Sequence, residues 1–274
     1  MIIDAFGLSD VGRVREANED NFILLNLGRP AGKATPFLLA VADGIGGHAG
    51  GAVASGLAID IVKEDMAAWA AALPRPDVRA ALGAVIQRAN RAIFDKAASE
   101  SALLGMGTTL VAAVIEDSRA TIANVGDSRA YHLRDGKLRQ ITLDHSWIAE
   151  QRRRNLLSEA EIQNSPFKSM ITRSLGFQEA VEADFFDLDL AEEDYLLCCT
   201  DGLYGPLSEK KIVKAFKHHR QAKDICPILI RTAKETRGDD NLTAVVAGLR
   251  DGQPDVKPSL SDTVRLEAWP KGKA

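Results

Sequence analysis

Two similar constructions stand out as chemically loaded. Phe37-Leu-Leu-Ala-Val-Ala-Asp43-Gly44 and Tyr195-Leu-Leu-Cys-Cys-Thr200-Asp201-Gly202 are short apolar runs that end in a carboxylate followed by glycine. Runs of this length, too short for a helix, read as strands buried on both faces. A charge at the tip of such a strand is costly unless something pairs with it. Gly44 lets the chain turn sharply and brings its own carbonyl near the same spot. Asp-Gly alone is an ordinary turn dipeptide, but the pattern recurs. Asp127 stands just past the strand that ends at Val125, Glu19-Asp20 just before Asn21-Phe-Ile-Leu-Leu, and Gly238-Asp239-Asp240-Asn241 just before the last strand.

Five strand ends thus carry carboxylates, and if they share one rim their charges repel. Multivalent cations would make such a cluster tolerable. The donors are hard oxygens with no His or Cys cluster alongside, which favours Mg²⁺ or Mn²⁺ over zinc or copper. Two such ions about 3.5–4 Å apart can share a bridging hydroxide and set it in line with a phosphorus atom. Arg15 either clamps phosphate oxygens bidentately or serves as a surface ion-pair partner. His48, in a glycine-rich loop, is a general acid for the leaving group or a solvated loop residue. Thr108 and Thr109 read as strand residues packing near the site, Asp144-His145 as a helix cap, and Arg152-Arg-Arg154 as a solvated helix face.

Strands are expected at 2–8, 20–27, 37–42, 108–115, 120–125, 128–133, 183–190, 195–200 and 242–248. Helices are expected at 49–73 and 77–99, where apolar residues recur at helical spacing, with Pro74 and Pro76 between them marking an antiparallel pair. Two more follow at 208–218 and 222–236. The polar stretch 146–170 reads as an inserted helical flap, with Ser158 and Glu161 spaced as a capping box. Helices that come in pairs, among more numerous strands, argue for a layered antiparallel α+β arrangement rather than a doubly wound parallel sheet.

Composition sets the outer bounds. The chain has 274 residues, 46% hydrophobic and 26% charged, with a net charge of −4. That profile suits one sizeable globular core, taken as a single domain over 1–249 with a mobile tail at 250–274. The mild acidity gives no footprint for nucleic acid. No run is long enough to span a bilayer, and the first residues lack the signature of a signal peptide. Three cysteines without zinc-site spacing suit core packing in a reducing, cytoplasmic compartment.

The motifs, taken together and in order, resemble the metal-dependent Ser/Thr protein phosphatases of the PPM (type 2C) family in their compact bacterial form. The matching pieces are Val14-Arg15-Glu-Ala-Asn18-Glu19-Asp20, Val41-Ala-Asp43-Gly44-Ile-Gly-Gly-His48, Gly107-Thr108-Thr109 and Asn124-Val-Gly126-Asp127-Ser128-Arg129. Asp144-His145-Ser146, Ile171-Thr-Arg173-Ser-Leu-Gly176, Thr200-Asp201-Gly202 and Gly238-Asp239-Asp240-Asn241 complete the set, across roughly residues 5–248. The resemblance implies a four-layer α-β-β-α sandwich with metals at one end. It implies that Asp43 bridges two metals, that Gly44 gives its carbonyl to one, and that Asp201 and Asp240 hold the other. Glu19 and Asp20 would act largely through metal-bound water, Arg15 would bind the phosphate, and Asp127 with Asp201 would hold a third, weaker metal. Residues 146–170 would form the flap bordering the site. In eukaryotic members a histidine directly follows Asp-Gly; here Ile45 does, and His48 comes three residues later as in bacterial members, so a metal-bound water is the alternative proton donor.

The expected activity is hydrolysis of phosphoserine and phosphothreonine in proteins by direct attack of the bridging hydroxide, with Mn²⁺ or Mg²⁺ as cofactor. No phosphoenzyme is expected, because no cysteine or histidine sits in a nucleophile context. The partners implied are phosphoproteins and a bacterial Ser/Thr kinase system, with the enzyme a monomer. The rivals are a phosphoprotein-binding pseudophosphatase, against which the complete carboxylate set argues, and a partner-switching phosphatase dedicated to one phosphoserine regulator.

Overall fold

The computed structural model of the chain describes residues 2–28, 35–46, 49–154, 161, 165–167 and 170–250. Two five-stranded antiparallel sheets dominate it. One runs in the order β1 (Ile2–Asp10), β12 (Leu242–Arg250), β11 (Tyr195–Cys199), β8 (Arg129–Arg134), β9 (Lys137–Gln140). The other runs β10 (Asp184–Asp189), β7 (Arg119–Val125), β6 (Leu110–Glu116), β3 (Phe37–Ala42), β2 (Asn21–Asn26). A two-stranded piece pairs β4 (Gly44–Ile45) with β5 (Gly107–Thr108).

Central strands such as β3, β6, β11 and β12 are apolar because they bury both faces, and their two-residue period sorts the side chains into layers. In β3, Leu38, Ala40 and Ala42 pack toward α1 (Ala49–Ala71) and α2 (Val78–Ser99), while Leu39 and Val41 enter the space between the sheets. In β12, Leu242, Ala244 and Val246 face the opposite helical layer, and Val245, Ala247 and Leu249 meet the other sheet. That second helical layer is built from α4 (Asp201–Tyr204), α5 (Glu209–His218) and α6 (Ala222–Thr236). The four layers α-β-β-α match the expected fold. Cys198, Cys199 and Cys226 are buried and free, and serve as core residues.

The expected elements fall within a few residues of those observed, and the differences have local causes. Asp135 and Gly136 take φ of 52° and 70°, the left-handed pair that closes a tight hairpin, so a further strand, β9, follows the expected turn. Within the expected flap, α3 (Trp147–Arg153) is helical. Its cap is Ser146, whose Oγ accepts the Ala149 amide at 3.4 Å, and not Asp144 or His145. The Ser158 cap, His48 and the tail from 251 onward lie outside the described residues.

Candidate metal centre

Register explains why the carboxylates converge. Asn21 faces Ala42 in the β2–β3 ladder, so Asp20 and Asp43 emerge side by side from one sheet. In the other sheet Cys199 faces Ala244, which sets Thr200 and Asp201 beside the segment 240–243. Asp127 lies in the connection between β7 and β8, which belong to different sheets.

The backbone of Asp43 is locked while its side chain is left to the centre. Its N–H donates to Thr109 Oγ1 (2.9 Å), and its carbonyl accepts from the Thr109 amide (2.9 Å) and Thr108 Oγ1 (2.8 Å). Thr108 and Thr109 thus do more than pack nearby. Gly44 permits a close approach: a Cβ there would fall 2.2 Å from the Gly51 carbonyl oxygen and 2.7 Å from that of Glu19. Gly51 in turn leaves room for the Glu19 carboxylate, whose Cδ is 2.9 Å from where a Cβ would stand. Glu19 therefore rests against the first turn of α1, where a helix favours negative charge.

Electrostatics mark the cluster as incomplete without cations. Burial raises the Asp20 carboxyl to about 7, helped by Asp201 and Asp240 and opposed by hydroxyls of Thr243 and Thr200. Burial pushes Asp43 well up, and Asp20, Asp201, Asp127 and Asp240 all push the same way. Burial, then Asp201 and Asp144, bring Asp127 to about 7. Asp201 is raised by burial and Asp240, against a hydrogen bond with Asp43. Such groups stay charged only if positive charge arrives.

Five of the predicted metal residues (Asp20, Asp43, Asp127, Asp201 and Asp240) come within electrostatic reach of one another. Asp20 is 5% exposed, and its Oδ1 has no hydrogen-bond partner. A buried orphan acceptor beside repelling carboxylates is what a cation would satisfy, and the hard oxygens suit Mg²⁺ or Mn²⁺. Among the described residues no three acidic, histidine or cysteine side chains close into a ready cage. That accords with ions that take one or two carboxylates each and keep several waters.

Arg15 reaches over this rim. Its Nη2 lies 2.9 Å from Asp240 Oδ1. Burial opposes its charge, but Asp240, Glu19 and Asp43 outweigh that and hold the guanidinium above its ordinary value. Asp239 turns instead to Arg237 at 2.7 Å, which keeps it below the usual carboxylate range.

A Protein phosphatase 2C profile matches residues 25–247. The chain belongs to the protein phosphatase 2C family. It is 37% identical over 238 residues to the serine/threonine phosphatase stp of Listeria monocytogenes, covering 87% of this chain and 92% of that one. The serine/threonine phosphatase of S. agalactiae superposes with a TM-score of 0.82 at 30% identity, covering 91% of this chain and all of the other. The catalytic domain of the phosphatase PstP, solved in complex with two manganese ions, superposes at 0.76 and 33% identity, over 91% of this chain and 99% of that one.

In this 2C-family chain several residues have supporting roles that the sequence reading did not assign. Asn241, buried behind Asp240, accepts the Glu19 amide at 2.8 Å and donates to the carbonyls of Val11 and Ala17, both at 3.0 Å. Tyr204 donates to the Asp127 carbonyl at 3.0 Å, under the Arg129 guanidinium 3.7 Å above its ring. His145 is 4% exposed and takes the Gly126 amide on Nδ1 (3.0 Å), so Nε2 carries the proton and faces Asp184 at 3.2 Å. Burial lowers its pKa, which fits a neutral bracing role. Asp144 is tied to Arg129 at 2.7 Å. For Asn241 the sequence signal is a polar side chain directly beside an apolar strand.

A cavity of about 430 Å³ lies at the other end of the strands, between Arg134, Asp194, Lys217 and Arg220, and holds none of the predicted residues.

Proposed function

We propose that this chain hydrolyses phosphoserine and phosphothreonine in proteins. In this reading Asp43, with the Gly44 carbonyl, Asp201 and Asp240, holds two divalent ions, Mn²⁺ or Mg²⁺. Glu19 and Asp20 act through bound water, and Asp127 with Asp201 takes a third ion. Bound ions would supply Lewis acidity to the phosphoryl group and to water. The guanidinium of Arg15, half-exposed at the rim, binds and orients the phosphoryl oxygens.

In this reading water is the nucleophile, because the cysteines and His145 are poorly disposed to attack. Cys198, Cys199 and Cys226 are buried; Cys198 is pushed up to about 12 and the other two also rise. The two ring nitrogens of His145 are engaged. His48 remains the proposed proton donor to the leaving oxygen, with water as the alternative.

The span 1–249 acts as one catalytic domain in this reading. A kinase of matching specificity supplies the substrates, and the enzyme works as a monomer in the cytoplasm, where three free buried thiols are at home. No helix among the described residues is long and apolar enough to cross a membrane. The observation that carries the proposal is the carboxylate cluster, with Asp20 Oδ1 buried and unsatisfied inside it. The test is hydrolysis of a phosphothreonine peptide with Mn²⁺, with Mg²⁺ and with chelator. Turnover with metal and none with chelator is expected; binding of metal without turnover would overturn the assignment in favour of a phosphoprotein-binding role.

A further inference from the structure

Behind the carboxylate cluster lies a closed ring of hydrogen bonds that joins the two sheets. Thr243 Oγ1 lies 2.6 Å and Thr200 Oγ1 2.9 Å from the same oxygen, Asp20 Oδ2. Ser9 Oγ lies 2.8 Å from Thr243 Oγ1, and Asn18 Nδ2 lies 2.8 Å from Ser9 Oγ. The Asp20 amide returns to Asn18 Oδ1 at 3.2 Å. Ser9, Thr200 and Thr243 are buried, and Ser9 faces Thr243 directly across the β1–β12 ladder.

The chemistry of the groups fixes the direction of every bond. In the ionised form that a cation would favour, an Asp20 oxygen only accepts, so Thr243 spends its single hydroxyl proton on Asp20. Its oxygen must then accept from Ser9, whose own oxygen accepts from the Asn18 amide. Thr200 Oγ1 likewise donates to Asp20 while accepting the Thr243 amide at 3.1 Å. With Oδ2 held by two hydroxyls, the Asp20 side chain has one orientation, and the atom left over is Oδ1, buried with no partner.

We propose that Thr243, Thr200 and Ser9 are positioning residues that turn Asp20 so that Oδ1 serves the metal centre. The inference rests on the metal-centre reading above. Were the hydroxyls there only to satisfy a buried carboxylate, removing one would lower stability and leave metal affinity in step with it. A clamp on orientation acts on affinity specifically, as outer partners of metal ligands do, by about 10–100-fold.

The experiment compares Thr243→Val, which keeps shape and loses the hydroxyl, with Thr243→Ser, which keeps the hydroxyl. Mn²⁺ affinity is measured by calorimetry on the full chain, with melting temperature in chelator as a separate readout. Thr243→Val should bind Mn²⁺ at least tenfold more weakly, and Thr243→Ser within about threefold of the parent. Ser9→Ala, which removes the donor to Thr243, should weaken binding severalfold and reads the same ring if Thr243→Val fails to fold. Parental affinity in folded Thr243→Val, or equal loss in the Val and Ser variants, would overturn the clamp while leaving the metal centre intact. A parent chain that binds no Mn²⁺, or an Asp43→Ala variant that binds it normally, would overturn both.

Discussion

A single nitrogen of Arg15 straddles the carboxylate of Asp240, 2.9 Å from Oδ1 and 3.0 Å from Oδ2, although 225 positions separate the two in sequence. The pair joins the proposed phosphate-binding cation to a proposed metal ligand at a half-exposed rim. Arg15→Ala should therefore raise KM for a phosphothreonine peptide about tenfold to a hundredfold, the scale of losing hydrogen bonds to a charged group. kcat should fall less. Steady-state kinetics with saturating Mn²⁺ decides it, and an unchanged KM would remove Arg15 from the phosphate site.

Burial and four neighbouring aspartates push up the carboxyl of Asp43, and its main chain is held by Thr108 and Thr109 without help from the side chain. Asp43→Asn should abolish metal-dependent turnover. The same change should leave the melting temperature in chelator equal to or above that of the parent, because it removes the cost of burying a carboxyl among others that repel it. A melting temperature several degrees lower would mean that Asp43 holds the fold rather than the ions.

The metal-free protein should lose stability as pH rises from about 4 toward 7. Asp20 and Asp127 titrate at about 7 in the folded chain, against roughly 4 when unfolded. Between those values the folded state binds more protons, so their contribution is complete below about pH 4 and is lost by about pH 7. Melting in chelator at pH 5, 6, 7 and 8 should show the decline, and a rising curve would contradict it. Mn²⁺ affinity should move the other way, since binding must displace those protons.

Asn241 makes three hydrogen bonds that tie the start of β12 to the loop carrying Arg15 and Glu19. Asn241→Ala strands two carbonyls and an amide, and should destabilise the chain by about 2–4 kcal/mol. Denaturant unfolding with and without Mn²⁺ measures it. A cost below about 1 kcal/mol would show that water replaces these bonds.

Gly44→Ala should cost more than an ordinary glycine substitution, because the new methyl meets two backbone carbonyls instead of side chains that can swing aside. Loss of Mn²⁺ binding is the expected result. Normal binding would show that α1 can shift without disturbing Asp43.

Sequence alone conveyed the layers and the acidic rim because both depend on short-range pattern. A strand such as Leu38–Ala42 must be covered on both sides, and a carboxylate at its end must meet something positive. The clamp on Asp20 was not legible in the same way. Thr243 is one hydroxyl in an apolar strand, and its value comes from the β1–β12 register that sets it opposite Ser9. His145 misled for the opposite reason: a polar dipeptide before a helix looks like a cap, yet its ring is spent on the Gly126 amide and Asp184. Long-range pairing, which local pattern does not encode, decided both.

Among the described residues the last strand in sequence lies between two others rather than at an edge: β12 sits between β1 and β11, and β1 pairs with no other strand there. A chain growing on the ribosome at about 5–20 residues per second therefore holds its first strand unmatched for most of its synthesis. Asp240 and Asn241 arrive with the segment that completes the sheet, so assembly of the candidate metal rim and closure of that sheet are one late event. Pairing of β1 with β12 therefore waits on a long loop closure, the kind of non-local contact that sets slow rates.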